Sequence, residues 1–294
     1  MSEKVRVVLG LKNLPWRSVQ IPRLPPKPAL MPLTGGYRHT PVMQIGADIY
    51  CDSQCIIREI ERRYPQPTLY PGGGAGLVWG VSRWTDGELF KLTISVVLGA
   101  KIRELPEDFL ADRLPLYFGP DFDVDVIEQN VPWALGQLRT QFGWMEQRLA
   151  TGRRFMLGDQ PGLPDALCYY LVWFLRGRYQ GADAFLGQFA ALGAWESRVR
   201  EIGHGTPTEM RAEEALRLAA SAEPETPPRE DPQDPEGLAP GTQVNITPEG
   251  GGAAVEGRVL SVMQEDVAVE RHDAQVGRVA VHFPRVGYRL RRQG

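Results

Sequence analysis

The spacing of apolar residues changes character three times along the chain. Residues 1–68 mix short helical and strand signals. Val5, Val8 and Leu9 stand at helical spacing, but the run VRVVL also suits a strand, and period alone leaves both open. Trp16 to Ile21 reads as a short strand, and the following IPRLPPKPALMP is too rich in proline for a regular helix. Val42–Gln44 and Asp48–Tyr50 then read as two short strands joined by Ile45-Gly46-Ala47, a hairpin pattern. A helix follows over 53–63, with Ile56, Ile57 and Ile60 as its buried face and Asp52 or Ser53 at the N-cap. Tyr64-Pro65 ends it.

Residues 77–220 carry helical periodicity almost throughout. Long helices are expected over 77–103, 124–150 and 163–176, and shorter ones over 183–202 and 207–220. The segment LPDALCYYLVWFLR is apolar on every side, which places it in the middle of a bundle. Residues 221–239 are rich in proline and acids and poor in core-forming residues, so they read as a linker. Period-two alternation then returns, with strands expected at Gln243–Ile246, Val255–Val262, Val267–Glu270, Arg278–Phe283 and Tyr288–Arg291. With glycine turns between them, these suggest a small antiparallel barrel or sandwich. The expected domains are 1–68, 76–220, the linker 221–239 and a β domain over 240–294.

Composition narrows the classes of function. At 294 residues the chain has room for two or three cores, and 43% hydrophobic with 23% charged residues is ordinary for a globular protein. A net charge of -3 gives no footprint for nucleic acid, and the tail's arginines (Arg271, Arg278, Arg285, Arg289, Arg291 and Arg292) read as a solvated face. No apolar run approaches the ~20 residues that cross a bilayer, and MSEKVRVVLG lacks the features of a signal peptide. An odd number of cysteines fits a reducing cytosol. Cys51 and Cys55 are not at CxxC spacing and neither a second cysteine pair nor a nearby histidine completes a zinc site, so both are expected as small buried or half-buried thiols.

Three groups of residues resemble the glutathione transferase family. They are Thr40-Pro41-Val42, similar to its X-Pro-Val segment; Asp52-Ser53 at a helix start; and GDQPGLPDA at 158–166, similar to its Gly-Asp-x-Pro-Ser-x-Ala-Asp signature. In the third, Gly162 stands where the family has Ser or Thr, and Pro164 where it has Ala. The resemblance covers about residues 2–220 and implies an α/β thioredoxin-like domain plus an all-α bundle, here followed by a small all-β barrel-like domain. It also implies glutathione as substrate. With a cis bond before Pro41, Val42 would pair with the cysteinyl backbone of the tripeptide. A trans proline opening an edge strand is the other reading of that segment. Ser53 would donate its hydroxyl and amide to the γ-glutamyl carboxylate, and Asp52 would accept from the ammonium. Plain capping explains the same pair without a ligand. Arg38 and His39 flank this site and would meet the glycyl carboxylate, or else form a solvated loop face, with Lys27 a further carboxylate partner; GDQPGLPDA is expected only to organise the bundle.

The resemblance also points to a gap. In the family a Tyr, Ser or Cys just before the first helix contacts the thiol, on a loop after the first strand. SEKVRVVLG resembles that helix, so the strand and loop would precede Met1, which suggests a truncated start, and Ser2 is a poor surrogate for the catalytic position. The implied function is glutathione transfer to a small electrophile by a cytoplasmic homodimer. The electrophile would pack near the helix beginning at Leu77, with Trp79, Trp84 and Phe90 as candidate wall residues, although aromatic spacing on a bundle helix also reads as core. The alternative is a non-catalytic assembly module that carries a β-barrel tail.

Overall fold

A computed structural model describes residues 1–293. Contacts divide the chain into two compact units. One holds Met1, Glu3–Pro15 and Arg63–Thr206; the other holds Ser2, Trp16–Arg62 and the chain from Pro207 onward. The tail is therefore not a third body, and the reason is a strand pairing described below.

The helical unit begins with α1 (Ser2–Leu11), so the ambiguous VRVVL run is helical. The stretch expected as one helix over 77–103 is α4 (Ala75–Trp84) and α5 (Phe90–Gly99), joined by a π-helical turn at Thr85–Leu89. That turn is where α1 attaches. The fully buried Lys4 ammonium donates to both Asp86 carboxylate oxygens at 2.6 Å, and the Ser82 and Tyr170 hydroxyls donate to the same carboxylate. A buried ion pair is tolerable only with such extra donors. Next come α6 (Glu107–Phe118), which the apolar pattern does not announce, α7 (Val124–Gln129) and α8 (Val131–Ala150). The apolar α9 (Leu163–Arg178) is the buried centre of the bundle, as its composition demands. The expected helix over 183–202 is two, α10 (Ala182–Leu186) and α11 (Ala190–Ile202).

The sheet unit contains β1 (Pro15–Val19), α2 (Met31–Thr34), the hairpin β2 (Val42–Ile45) and β3 (Asp48–Cys51), and α3 (Ser53–Arg63). Residues 207–220 are not one helix: Thr206–Met210 forms β4, paired with β1, and only Ala212–Ala220 is helical, as α12. The proline at 207, lacking an amide donor, suits such a two-stranded edge pairing. All five tail strands are present: β5 (Gln243–Pro248), β6 (Val255–Val262), β7 (Asp266–Asp273), β8 (Gly277–Pro284) and β9 (Tyr288–Arg292).

They do not close into a barrel. The order is β2-β3-β8-β7-β6-β5-β9, one open sheet of seven strands that includes the hairpin. Strand β8 runs parallel to β3, with Asp48, Ile49 and Tyr50 opposite Ala280, Val281 and His282. It is buried on both faces, as a central parallel strand should be. Ile49, Cys51 and Tyr37 therefore share a single core with Val244, Val269, Val281 and Phe283.

The proline-rich linker is also ordered, contrary to its composition. Hydrogen bonds and ion pairs to the sheet hold it where apolar burial could not. Glu225 amide and Thr226 hydroxyl donate to Asp48 at 2.6 and 2.5 Å, and Arg229 pairs with the backbone on either side of Ser261 at the β6 bulge. Three of the tail's arginines serve the same end: Arg278 bonds Glu223, Arg285 bonds Asp234 and Glu236, and Arg292 donates to the Gly237 carbonyl, while Arg278, Arg289, Arg291 and Arg292 are exposed, as a solvated face requires.

Candidate functional site

The hairpin register brings two of the sequence motifs together. Val42 lies opposite Cys51, so Thr40-Pro41-Val42 and Asp52-Ser53 occupy one end of the same two strands. The Thr40–Pro41 peptide bond is cis. Strand β2 is the terminal strand of the sheet, which leaves a backbone edge open to an extended ligand. Thr40 is exposed, Pro41, Val42 and Asp52 are half-buried, and Ser53 is buried.

Asp52 is the N-cap of α3. Its Oδ1 accepts from the Gln54 amide at 2.8 Å and from the Ser53 hydroxyl at 3.4 Å, and its carbonyl accepts from the Ile56 amide. Its φ of 72° lies in the left-handed region, which aspartate tolerates better than most residues. The first amides of any helix lack intrahelical acceptors, and with the helix dipole they make this end of α3 attractive to an anion. The capping reading is thus correct for Asp52 and is compatible with binding, because capping occupies only one carboxylate oxygen.

The flanking basic residues are partly committed. Lys27 is buried and its ammonium donates to the Arg38 carbonyl at 2.9 Å, so it shapes the loop before β2. His39 is half-buried, with its ring edge-on to Tyr37 at 5.3 Å. Ser2 is half-buried and opens α1.

The tail also reaches this end of the hairpin. Tyr288 on β9 places its hydroxyl 3.2 Å from Asp52 Oδ2 and 3.2 Å from the Tyr37 hydroxyl. Burial first, then the Asp52 charge, holds both phenols well above the usual tyrosine range, so both stay protonated donors. The only sequence signal was that Phe283 and Tyr288 are among the few rings in the tail.

Cys51, Cys55 and Cys168 are all free and buried. Burial, reinforced by nearby carboxylates, pushes each thiol up, which makes them poor nucleophiles. The GDQPGLPDA segment is structural. Buried Asp165 accepts from the Gly162 amide, the Met156 amide and the Trp195 indole at 2.8, 2.9 and 2.7 Å. The helical unit also has a cleft of about 410 Å³ lined by Leu77, Val81, Trp84, Trp144, Met156 and Cys168 among others. Of the three aromatic wall residues expected from the sequence, Trp84 lines it, and Trp79 and Phe90 do not. Among the described residues no helix is long and apolar enough to cross a membrane.

Comparison with known proteins agrees with the geometry. Residues 1–68 match the family model described as glutathione S-transferase, N-terminal domain, and residues 104–198 match that described as glutathione S-transferase, C-terminal domain. The chain is similar to a GST-like protein from Pseudomonas syringae, with 34% identity, a TM-score of 0.78, and coverage of 99% of this chain and 94% of that one. That coverage includes the β tail, which lies beyond both family models. FzlA from C. crescentus is 19% identical at a TM-score of 0.47, covering 76% of this chain and 89% of its own. A glutathione S-transferase from Rhodospirillum rubrum is 18% identical at a TM-score of 0.49, covering 68% and 82%. No curated protein matches the chain.

Proposed function

Taking as premise that this chain belongs to the glutathione S-transferase family, we propose that it binds glutathione along the β2 edge and transfers it to a small electrophile. The observation that carries the reading is the hairpin register, which gathers Thr40, Pro41 and Val42 with Asp52 and Ser53 at the open end of the sheet. The tripeptide would lie antiparallel to Val42, its cysteinyl backbone taking the unused edge groups. Its γ-glutamyl carboxylate would face the Ser53 amide at the α3 N-terminus, the Ser53 hydroxyl turning to it from its long 3.4 Å contact with Asp52 Oδ1, and its ammonium would face Asp52. His39 and Arg38 border this path from the loop before β2.

Transfer requires the thiol to lose its proton, the thiolate to attack an electrophilic carbon, and a leaving group to depart or a double bond to accept the pair. A hydroxyl at a helix start lowers a thiol pKa by hydrogen bonding to the thiolate. Ser2, which opens α1, is the chain's own candidate for that contact. The reading includes a cytoplasmic setting and a homodimer. Leu77 and Trp144 at the mouth of the helical cleft are 83% and 53% exposed, an apolar surface that a second copy would cover.

The test is calorimetric titration with glutathione, then turnover with a chloronitroaromatic electrophile, on wild type and Ser2→Ala. Saturable binding with turnover supports the transferase. Binding without turnover in any variant favours the alternative, a non-catalytic assembly module that keeps the ligand site. No binding removes the glutathione reading altogether. Size-exclusion chromatography with light scattering checks the dimer.

A further inference from the structure

We propose that Tyr288, supplied by the C-terminal tail, is a positioning residue that holds Asp52 ready to receive the ammonium of glutathione. The inference rests on the glutathione reading and deepens it. It gives the tail, absent from the two matched family domains, a direct part in ligand selection.

The argument is a count of hydrogen-bonding capacity. An ionised carboxylate offers about four acceptor positions. Asp52 Oδ1 already serves the Gln54 amide and the Ser53 hydroxyl, both parts of its capping role. Among the described residues Oδ2 accepts from Tyr288, at 3.2 Å, and Asp52 is half-buried, so Oδ2 keeps capacity for a second donor. A primary ammonium is the chemistry that fits a half-buried carboxylate with one vacant lone pair beside a helix start that attracts the adjacent carboxylate. An α-amino acid end presents both groups on one carbon.

Tyr288 is built to hold that oxygen still. Its ring packs against Phe283 at 5.5 Å and Tyr37 at 6.4 Å, and Tyr37 in turn sits edge-on to Phe283 at 5.8 Å. Each phenol has one proton. The carboxylate is the stronger acceptor, so the Tyr288 proton goes to Asp52 and the Tyr37 hydroxyl donates to Tyr288. A chain of two phenols thus ends on Asp52. The same turn is tied to α3 a second time, because the Gln54 side-chain amide donates to the Val286 carbonyl at 3.3 Å. Gly287 at φ 90° lets the chain make that turn before β9.

The experiment is calorimetric titration of wild type, Tyr288→Phe, Asp52→Asn and the double variant, each with glutathione and with its des-amino analogue, which keeps every group but the ammonium. Tyr288→Phe is expected to weaken glutathione about tenfold, in the range of a lost hydrogen bond to a charged group, and to leave the analogue's affinity unchanged. In the Asp52→Asn background the Tyr288 change is expected to have no further effect on glutathione. Equal weakening of both ligands would overturn the proposal, since it would mean the phenol only supports the fold. No weakening of either would overturn it as well. A wild type that binds the analogue as tightly as glutathione removes the ammonium contact while leaving the glutathione reading intact. A wild type that binds neither removes both.

Discussion

Two buried aspartates organise the two units, and they do so in opposite ways. Asp165 in the helical unit takes its donors from Gly162, Met156 and Trp195, all within one stretch of chain. Asp48 in the sheet unit takes them from Glu225, Thr226 and His282, up to 234 positions away. Burial dominates Asp165 and raises its pKa despite three donors. Burial also opposes the charge on Asp48, but the His282 and Thr226 side chains and the Glu225 amide outweigh it and pull the pKa down. The first carboxylate is thus satisfied from within residues 156–195 of the helical unit. The second is a long-range clamp that exists only once hairpin, linker and tail have met. The lesson is that the helical unit needs only α1 besides the continuous stretch Arg63–Thr206, whereas the sheet unit joins Trp16–Arg62 to the chain from Pro207 onward.

The most severe way to break the comparison is to remove residues 221–294. Strand β3 would lose its parallel partner β8, and the core shared by Ile49 and Cys51 with Val281 and Phe283 would lose most of its members. The expected outcome is loss of the sheet unit with survival of the bundle. Limited proteolysis should digest 16–62 and spare the helical unit, a fragment beginning near Arg63 that keeps residues 3–15 bound to it. Equal resistance of both regions would show that the tail is an ornament.

Asp165→Ala should be the next largest effect. Three buried donors would lose their acceptor at once, at a cost of about 3–4 kcal/mol. Urea denaturation followed by far-ultraviolet circular dichroism would read it, because most of the helix lies in that unit. A cost below ~1 kcal/mol would mean that the donors find other partners.

The sequence announced much of the bundle and little of the clamp, for a physical reason. The α3 and α9 helices were legible because period, cap and terminator all lie within one element. The hairpin was legible because glycine and alternation are local signals. Strand β4 was misread because a short polar pair such as β1-β4 has no apolar alternation to show. The linker was misread because its order comes from single hydrogen bonds to Asp48 and from ion pairs with Arg278 and Arg285, none of which changes its composition. The pairing of β8 with β3 and the approach of Tyr288 to Asp52 were invisible for the same reason, since no local pattern marks which distant strand a central strand will join. In the candidate site, the residues proposed to meet a ligand's backbone and carboxylate were readable from motifs, and Tyr288, proposed to position Asp52, was not.

The pH response should separate the two aspartates. A depressed carboxylate contributes stability above the unfolded value, about 3.9, and loses it as pH falls below that value toward its own. Asp48 therefore gives the sheet unit its stability at neutral pH and withdraws it in acid. Asp165, with a raised pKa, acts in the other sense, favouring the folded bundle in acid and costing stability as pH rises past the unfolded value. Acid titration from pH 7 to about pH 3 should release the linker before the bundle melts, seen as proteolytic cleavage near residues 221–239. Asp48→Ala should release it at pH 7, with a loss of about 2 kcal/mol. Simultaneous loss of both units in acid would count against the clamp.

The smallest effect belongs to a residue where this chain departs from its family. Gly162 stands in place of the usual Ser or Thr cap, and its φ of -151° is open to any residue, so conformation does not explain the choice. Space does. A Cβ at position 162 would lie 2.7 Å from Pro71 Cδ and 2.9 Å from the Leu69 carbonyl oxygen, and that carbonyl also accepts from the Leu163 amide at 2.8 Å. Backbone and a proline ring cannot swing aside as a flexible side chain would. Gly162→Ser should therefore destabilise the bundle by about 1–2 kcal/mol, although serine is the better cap in isolation. Pairing it with Pro71→Ala should recover part of the loss, because the ring carbon nearest the new Cβ is removed. The same serine change with no cost, read in the same urea titration, would mean that the 69–71 segment yields and that the motif's departure at Gly162 is incidental.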